Sequence, residues 1–419
     1  MRTFFSPEQL ADPHIAEAEQ ALRACVHCGI CTATCPTYVL LGDERDGPRG
    51  RIVMMQRMLE QGGVPSPETV THVDRCLSCL ACRTACPSGV DYARLADAAR
   101  THIATHYRRP LGERLTRWAI SHLLTRPALA KTGVVLAKTF APIARRVPGR
   151  LGAMARIALK ARPKFSLKAH DPIADVPFVT RARNVALMPG CVQSVLAPSI
   201  DAAILRVLAR RGIGVKPLAG CCGALKHHLG EDARGEAKRV IASFETMDCE
   251  SVLVGATGCS AHLLDTPHLF AGDPAWEPRA KVFAAKVRDF SLLVTPRPAR
   301  VRGLRVAWQA PCSMQNSLKT AGVGKALLEA AGYDVAEIPE GHLCCGSAGS
   351  YSLLQPEIAG ALRARKLANA AAAGPDMIAT ANIGCLIHLS GEIPVVHLAE
   401  LIDWAEGGPR PACLEGAPR

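Results

Sequence analysis

Two copies of one cysteine pattern restrict what this chain can fold into: Cys25-x2-Cys28-x2-Cys31-x3-Cys35-Pro36 and Cys76-x2-Cys79-x2-Cys82-x3-Cys86-Pro87. The short loops let three thiolates of a run surround one face of a cubane iron–sulfur cluster. The longer step and the proline then turn the fourth thiolate toward the other cluster. The expected ligand sets are Cys25, Cys28, Cys31 with Cys86, and Cys76, Cys79, Cys82 with Cys35. Zinc sites also use Cys-x2-Cys, but in two pairs without a third cysteine three residues on. A disulfide framework would need an exported chain. The spacing therefore predicts a one-electron redox protein with two 4Fe-4S clusters.

The remaining chain is long enough for further cores, since 419 residues suggest two to four domains. Helix-prone stretches flank the two motifs, from His14 to Ala24, Arg49 to Glu60 and Tyr92 to His106, so residues 1–105 are expected to form an α-helical domain around the clusters. The first residues lack the apolar core of a signal sequence, and no window is apolar enough to span a bilayer, so reduced thiols in a cytoplasmic setting are expected.

Charge is concentrated in one place. Between Arg108 and Lys168 stand fifteen lysines and arginines against one acid, Glu113, which accounts for the net charge of +13 and leaves the rest of the chain near neutral. Within this basic stretch, assigned to 106–180, Leu115, Trp118, Ala119, His122 and Leu123 fall on one side of a helix, and Pro127, Pro142 and Pro148 break it into short segments. Such a segment can lie in a lipid headgroup interface, or pack on the other domains and expose its arginines to solvent. With only 4% aromatic residues, the interleaving used to bind single-stranded nucleic acid is missing.

From about residue 181 the chain repeats itself. Each copy runs strand, cysteine, helix, strand, Cys-Cys-Gly, helix, strand, Gly-Cys, helix. The cysteines are Cys191, Cys221, Cys222 and Cys259, then Cys312, Cys344, Cys345 and Cys385, with matching positions 121, 123 and 126 residues apart for the first, second and fourth members. Two α/β units with parallel strands, 181–300 and 301–419, follow from this alternation. The overall fold class is α+β multidomain. Glycine after the vicinal pair permits a turn that presents both sulfurs to one point, so each set can bind a cluster, zinc or another thiol. His262 and His388 stand three residues after Cys259 and Cys385, at metal-ligand spacing. His227 and His228 read as surface residues, His102 and His106 as an exposed pair, and Cys249 and Cys413 as unliganded. There is no G-x-G-x-x-G, P-loop, G-x-S-x-G or H-E-x-x-H motif. Without a two-electron cofactor of its own, the chain is expected to be a subunit.

These residues resemble a known family. The repeated Cys-Cys-Gly units are similar to the cysteine-rich domains of heterodisulfide reductase, anaerobic glycerol-3-phosphate dehydrogenase and lactate-utilisation proteins. The run Arg23 to Tyr38, Leu40 to Glu44, Asp46 to Ile52, His342 to Gly349 and Thr380 to Cys385 resembles the iron–sulfur subunit of bacterial glycolate oxidase, and the match extends from about 10 to 405. The resemblance implies a three-subunit, membrane-associated complex that oxidises glycolate to glyoxylate. In it FAD-containing partner subunits do the hydride chemistry, and this chain passes electrons to a quinone or other respiratory acceptor from the inner face of the cell membrane. Where the wider family ends each repeat in Cys-x2-Cys, this chain has Cys-x2-His, which leaves cluster, zinc or no metal open for the repeats. The rival readings are the same relay for a lactate or glycerol-3-phosphate dehydrogenase, and a redox-sensing nucleic-acid binder.

Overall fold

Proline starts many of the helices, because its missing N–H falls where a helix has no acceptor to offer it. In the computed structural model, which describes residues 1–141, 146, 149–161, 183–295, 297 and 303–414, the N-terminal helices Pro13–Ala24, Pro48–Gln61 and Pro67–Asp74 all begin this way. Pro13–Ala24 packs on Tyr92–His106 through small residues: Ala18 and Ala21 of one helix and Ala96 and Ala99 of the other are all buried. Ile52, Met55 and Leu59 of the middle helix close the same core. The three helices expected from the sequence are present within a residue of their predicted limits. The helix Pro67–Asp74 was not anticipated.

The basic stretch forms the helices Leu111–His122, Pro127–Thr139 and Gly149–Leu159. On the first of them the inward face is Thr116, Ile120 and Ser121, while Leu111, Leu115 and Trp118 are exposed. Of the apolar stripe read from the sequence, Leu115 and Trp118 face outward, while Ala119, His122 and Leu123 are half-buried. Arg117 binds Asp74 at 3.1 Å and anchors this helix to the cluster-bearing domain, and Lys160 Nζ donates to the Ile387 carbonyl at 3.0 Å. The breaks expected at Pro142 and Pro148, and residues 162–180, lie outside the described residues. No helix among the described residues is long and apolar enough to cross a membrane.

Each repeat is a four-stranded parallel sheet. The first contains β1 Asn184–Met188, β2 Gly214–Pro217, β3 Ser251–Val254 and β4 Val287–Asp289 in the order β2-β1-β3-β4. The second contains β5 Arg305–Trp308, β6 Asp334–Glu337, β7 Met377–Thr380 and β8 Val395–His397 in the order β6-β5-β7-β8. Duplicate topology confirms the parallel α/β reading, and the edge strands β4 and β8 are additions to it. The sheets share one apolar core, and the helix Ser199–Arg210 lies against Leu398–Ala405, where Arg206 and Arg210 both reach buried Asp403 at 2.6 Å. Beyond the C-terminal ends of β3 and β5 the repeats meet directly, with Ser313 Oγ donating to Thr257 Oγ1 at 2.8 Å.

The cluster-bearing domain touches both repeats. Against the second, Asn316 Nδ2 donates to the Cys79 carbonyl at 2.8 Å and the Tyr351 hydroxyl to the Arg75 carbonyl at 3.1 Å. Against the first, Arg94 pairs with Asp265, and His227 Nε2 lies 3.1 Å from Asp97 Oδ1. Sequence reading had put His227 and His228 on the surface. The structure corrects this: both lie in the seam, where burial above all drives the His228 pKa down to about 3.

Burial alone would lower the His227 pKa, but Asp97 outweighs it and the group titrates above its usual 6.5. The stabilisation from this pair is complete below about pH 6.5, the unfolded histidine value, and is lost as pH rises through the higher folded value. Thermal melting between about pH 6 and 9 should therefore show a fall in stability that His227→Gln flattens; an unchanged slope in the variant would contradict this contribution.

Candidate functional site

Each Cys-x2-Cys loop needs backbone angles that L-residues avoid. His27 and Gly29 in the first run and Ser78 and Leu80 in the second occupy the left-handed region, at φ 56°, 81°, 51° and 57°. The two runs thus adopt the same strained turns, and strain of this kind persists only where the surroundings over-determine it. Gly29 has a further reason to be glycine: a Cβ there would stand 2.6 Å from the Arg49 guanidinium.

These turns surround two adjacent clefts. One, of about 430 Å³ including its open mouth, is lined by Cys25, Cys28, Cys31 and Cys86. The other, of about 320 Å³, is lined by Cys35, Cys76, Cys79 and Cys82. Cys82, Pro48 and Tyr92 border both. The fourth cysteine of each run lies at the cleft lined mainly by the other run. The first cleft opens to solvent beside exposed Val26 and Ile30, whereas the second is covered by the second repeat.

Electrostatics distinguish the clefts. Burial, with repulsion from Cys25, pushes the Cys31 thiol up to about 11. Burial also raises Cys79 and Cys82 well above the ordinary thiol range, with neighbouring cysteines adding to it. Cys76 goes the other way: burial would raise it, but the Arg51 and Arg100 guanidinium groups together hold it below its usual value. Thiolates crowded in this way cannot all ionise without a compensating cation, and this donor set fits iron.

From the sequence, Arg49 and Arg51, close to the first motif, could raise a cluster's potential, cap a helix or pair with Asp46. The Arg51 side chain is fully buried, donating to the His72 carbonyl at 2.7 Å, to Thr37 Oγ1 at 3.1 Å and weakly to Cys35 Sγ at 3.8 Å. It pairs with buried Asp46 at 3.2 Å, which also takes His72 Nδ1 and Arg75, each at 2.9 Å. Arg49, by contrast, is half exposed and pairs with Glu44 at 2.7 Å.

The cysteines of each Cys-Cys-Gly set lie close together in pairs. In the first, Cys222 Sγ lies 3.1 Å from Cys259 Sγ and Cys221 Sγ lies 3.6 Å from Cys191 Sγ. Hydrogen bonds from Cys191 and Cys222 pull the Cys221 thiol well down. In the second, Cys345 Sγ lies 3.4 Å from Cys385 Sγ, and Cys312 pairs with Cys344. Both glycines have positive φ, 85° at Gly223 and 93° at Gly346, and a Cβ on Gly346 would meet the Ala359 carbonyl oxygen at 2.7 Å.

The two histidines part company. His262 Nε2 is buried, has no hydrogen-bond partner among the described residues, and stands 3.5 Å from where a Gly223 Cβ would be. Burial, with His227 nearby, drives its pKa down to about 3, so the imidazole is neutral with a lone pair to offer. His388 Nε2 instead lies 3.1 Å from the Ala359 carbonyl oxygen. Three features of the second set escaped the sequence. Cys312 is the thiol that most strongly opposes ionisation of Cys79, which brings the second cleft against this set. Asn316 ties the same two elements together. Lys366 is buried beside Cys344, Cys345 and Cys385, its ammonium donating to the Glu340 carbonyl at 2.9 Å.

Of the other candidates, His106 is exposed but His102 is half-buried, its Nε2 2.9 Å from the Gly63 carbonyl oxygen and its ring stacked on His106. Cys249 is buried and Cys413 exposed.

Comparison with known proteins agrees with this anatomy. Residues 21–90 match the 4Fe-4S dicluster domain, and 185–264 and 306–390 each match the cysteine-rich domain. The glycolate oxidase iron-sulfur subunit of Escherichia coli is 37% identical over 97% of this chain and 99% of its own length. The probable glycolate oxidase iron-sulfur subunit of Bacillus subtilis is 32% identical over 93% of this chain and 95% of its own. Lactate utilization protein A of Exiguobacterium is 30% identical, but over only 52% of this chain. A doubled ferredoxin-type motif followed by two cysteine-rich repeats, matched along nearly the whole length, places this chain in the family of glycolate oxidase iron–sulfur subunits.

Proposed function

We propose that this chain relays electrons one at a time from an FAD-containing partner that oxidises glycolate to glyoxylate, toward a quinone or other respiratory acceptor. The observation that carries the reading is the pair of adjacent clefts bordered in common by Cys82 and Tyr92, the second of them backed by a further thiol set. Cys25, Cys28, Cys31 and Cys86 are the ligands at the first cleft, and Cys35, Cys76, Cys79 and Cys82 at the second. Clusters held there supply one-electron transfer.

The protein's own residues set direction and potential. Val26 and Ile30, exposed beside the first cleft, form the natural face for a flavoprotein. Arg51 and Arg100 place positive charge against the second cleft and favour added negative charge there. Asn316 holds that cleft against Cys312, and Lys366 offers a cation to the thiols beyond. The second repeat is therefore the exit side. In the first repeat, Cys191, Cys221, Cys222 and Cys259 with His262 form a metal site; in the second, Cys312, Cys344, Cys345 and Cys385 do so without His388, whose nitrogen is engaged by a backbone carbonyl. Outward-facing Leu111, Leu115 and Trp118 on a basic helix suit peripheral contact with the inner face of the cell membrane.

The partial match to a lactate-utilisation protein favours one second reading, in which the partner oxidises lactate. Anaerobic mixing separates them. Glycolate should bleach the visible absorbance of this chain only when its flavoprotein is present, and faster than D-lactate does. Faster bleaching by D-lactate would reassign the substrate. No bleaching by either would overturn the relay.

A further inference from the structure

Away from the cysteines, one group of metal-ligating side chains bridges two domains. His14 and Glu17 stand three residues apart on the helix Pro13–Ala24, hence on the same face. His268 comes from the segment Thr266–Leu269 of the first repeat, beyond the helix that carries Cys259. One ligand atom from each of the three lies within 4.8 Å of the others.

Their local bonding is incomplete. The His268 side chain is only 8% exposed, and its Nδ1 faces the buried Glu17 Oε2 at 2.6 Å as an ion pair, yet neither atom makes a hydrogen bond among the described residues. The His14 ring meets the His268 ring edge-on with centroids 4.8 Å apart. No hydrogen bond reaches a ring nitrogen of His14 among the described residues. A buried nitrogen and a carboxylate oxygen set close together off hydrogen-bond geometry would be satisfied by a shared cation.

We propose that His14, Glu17 and His268 form a divalent-cation site, suited by its two imidazoles and one carboxylate to zinc, that clamps the cluster-bearing domain to the first cysteine repeat. Three protein ligands leave the fourth tetrahedral position to water. Binding requires Glu17 and His268 to move apart to roughly 3.3 Å, the edge of a tetrahedron with bonds of about 2.0–2.1 Å. The surroundings favour a cation. Arg94 lies 4.0 Å from Glu17, but it is engaged by Asp265 and flanked by Asp91 and Asp97, so carboxylates outnumber it. The site continues the seam formed by Arg94 with Asp265 and His227 with Asp97, and adds to it a bond that depends on metal supply.

The test uses the full chain with its clusters intact, equilibrated with zinc alone and then freed of loosely bound metal, beside His14→Gln and Glu17→Gln. Both substitutions are on a half-exposed helix face and spare the buried His268. Wild type should retain one zinc more per chain than either variant, with iron and sulfide unchanged in all three. The zinc-edge absorption of that additional metal should show nitrogen and oxygen neighbours near 2.0–2.1 Å and no sulfur near 2.3 Å. Zinc should raise the melting temperature of wild type more than that of either variant. Equal zinc in wild type and Glu17→Gln, or sulfur around the additional zinc, would overturn the site. Because iron and sulfide are counted separately, that result would leave the electron relay standing.

Discussion

Cys79→Ser should lower the iron content by about four atoms per chain and cut electron transfer from the glycolate-reduced flavoprotein to the acceptor by roughly 100-fold or more, while glycolate still reduces the flavin. Cys79 lines the second cleft on the side of the second repeat: its backbone carbonyl accepts from Asn316, and Cys312 of that repeat is its strongest thiol neighbour. A serine hydroxyl is a poor substitute for a buried thiolate on iron. The flavin chemistry belongs to the partner and touches none of these atoms, so the two half-reactions should separate cleanly. Cys28→Ser, at the exposed first cleft, should give the same separation with less effect on folding. If the full transfer rate in Cys79→Ser stays within about twofold of wild type while iron is lost, the second cleft is not on the path.

Arg51→Met should destabilise the cluster-bearing domain by about 3 kcal/mol, the loss typical of breaking a buried ion pair from one side. Arg51 and Asp46 are each only 1% exposed, and the guanidinium also serves the His72 carbonyl and Thr37. Methionine fills the space but leaves Asp46 to His72 and to Arg75, which is a third exposed. Arg51→Lys should recover part of the stability, since it restores the charge without the planar fork that reaches several acceptors at once. A second readout follows from position. With the positive charge removed from beside Cys35 and Cys76, the reduction potential associated with the second cleft should move negative, and less so in Arg51→Lys. Melting of Arg51→Met indistinguishable from wild type would contradict the importance of this network.

What the sequence disclosed was chiefly what local spacing controls. The eight N-terminal cysteines reach their clefts through turns of two and three residues, so counting along the chain was enough to group them. The duplicated Cys-Cys-Gly pattern disclosed the paired parallel sheets for a similar reason, because each cysteine follows its own strand. The edge strands β4 and β8 escaped because each has three residues and one, Val-Arg-Asp, has no apolar run. His262 and His388 have identical spacing from their cysteines and different fates, because the Ala359 carbonyl, far along the chain, reaches only one of them. For Arg51 the sequence offered a tuned potential, a helix cap or a pair with Asp46; the pair is what forms, and its burial depends on His72, which the fold brings in from farther along the chain. The stripe of Leu115, Trp118, Ala119, His122 and Leu123 shows the limit of periodicity: it identifies a face, but not whether that face turns inward, and Leu115 and Trp118 are exposed while the other three are half-buried. His227 looked like a surface residue because its partner, Asp97, lies in another domain.

Iron and acid-labile sulfide per chain, determined together with the EPR spectrum of the dithionite-reduced, anaerobically prepared protein, test the central claim most directly. Two clusters held by Cys25, Cys28, Cys31 and Cys86 and by Cys35, Cys76, Cys79 and Cys82 require at least about eight irons with matching sulfide, and reduced centres close enough for their spins to interact. A brown protein with that content is the predicted result. A colourless protein without sulfide, its cysteines occupied by zinc, would contradict it.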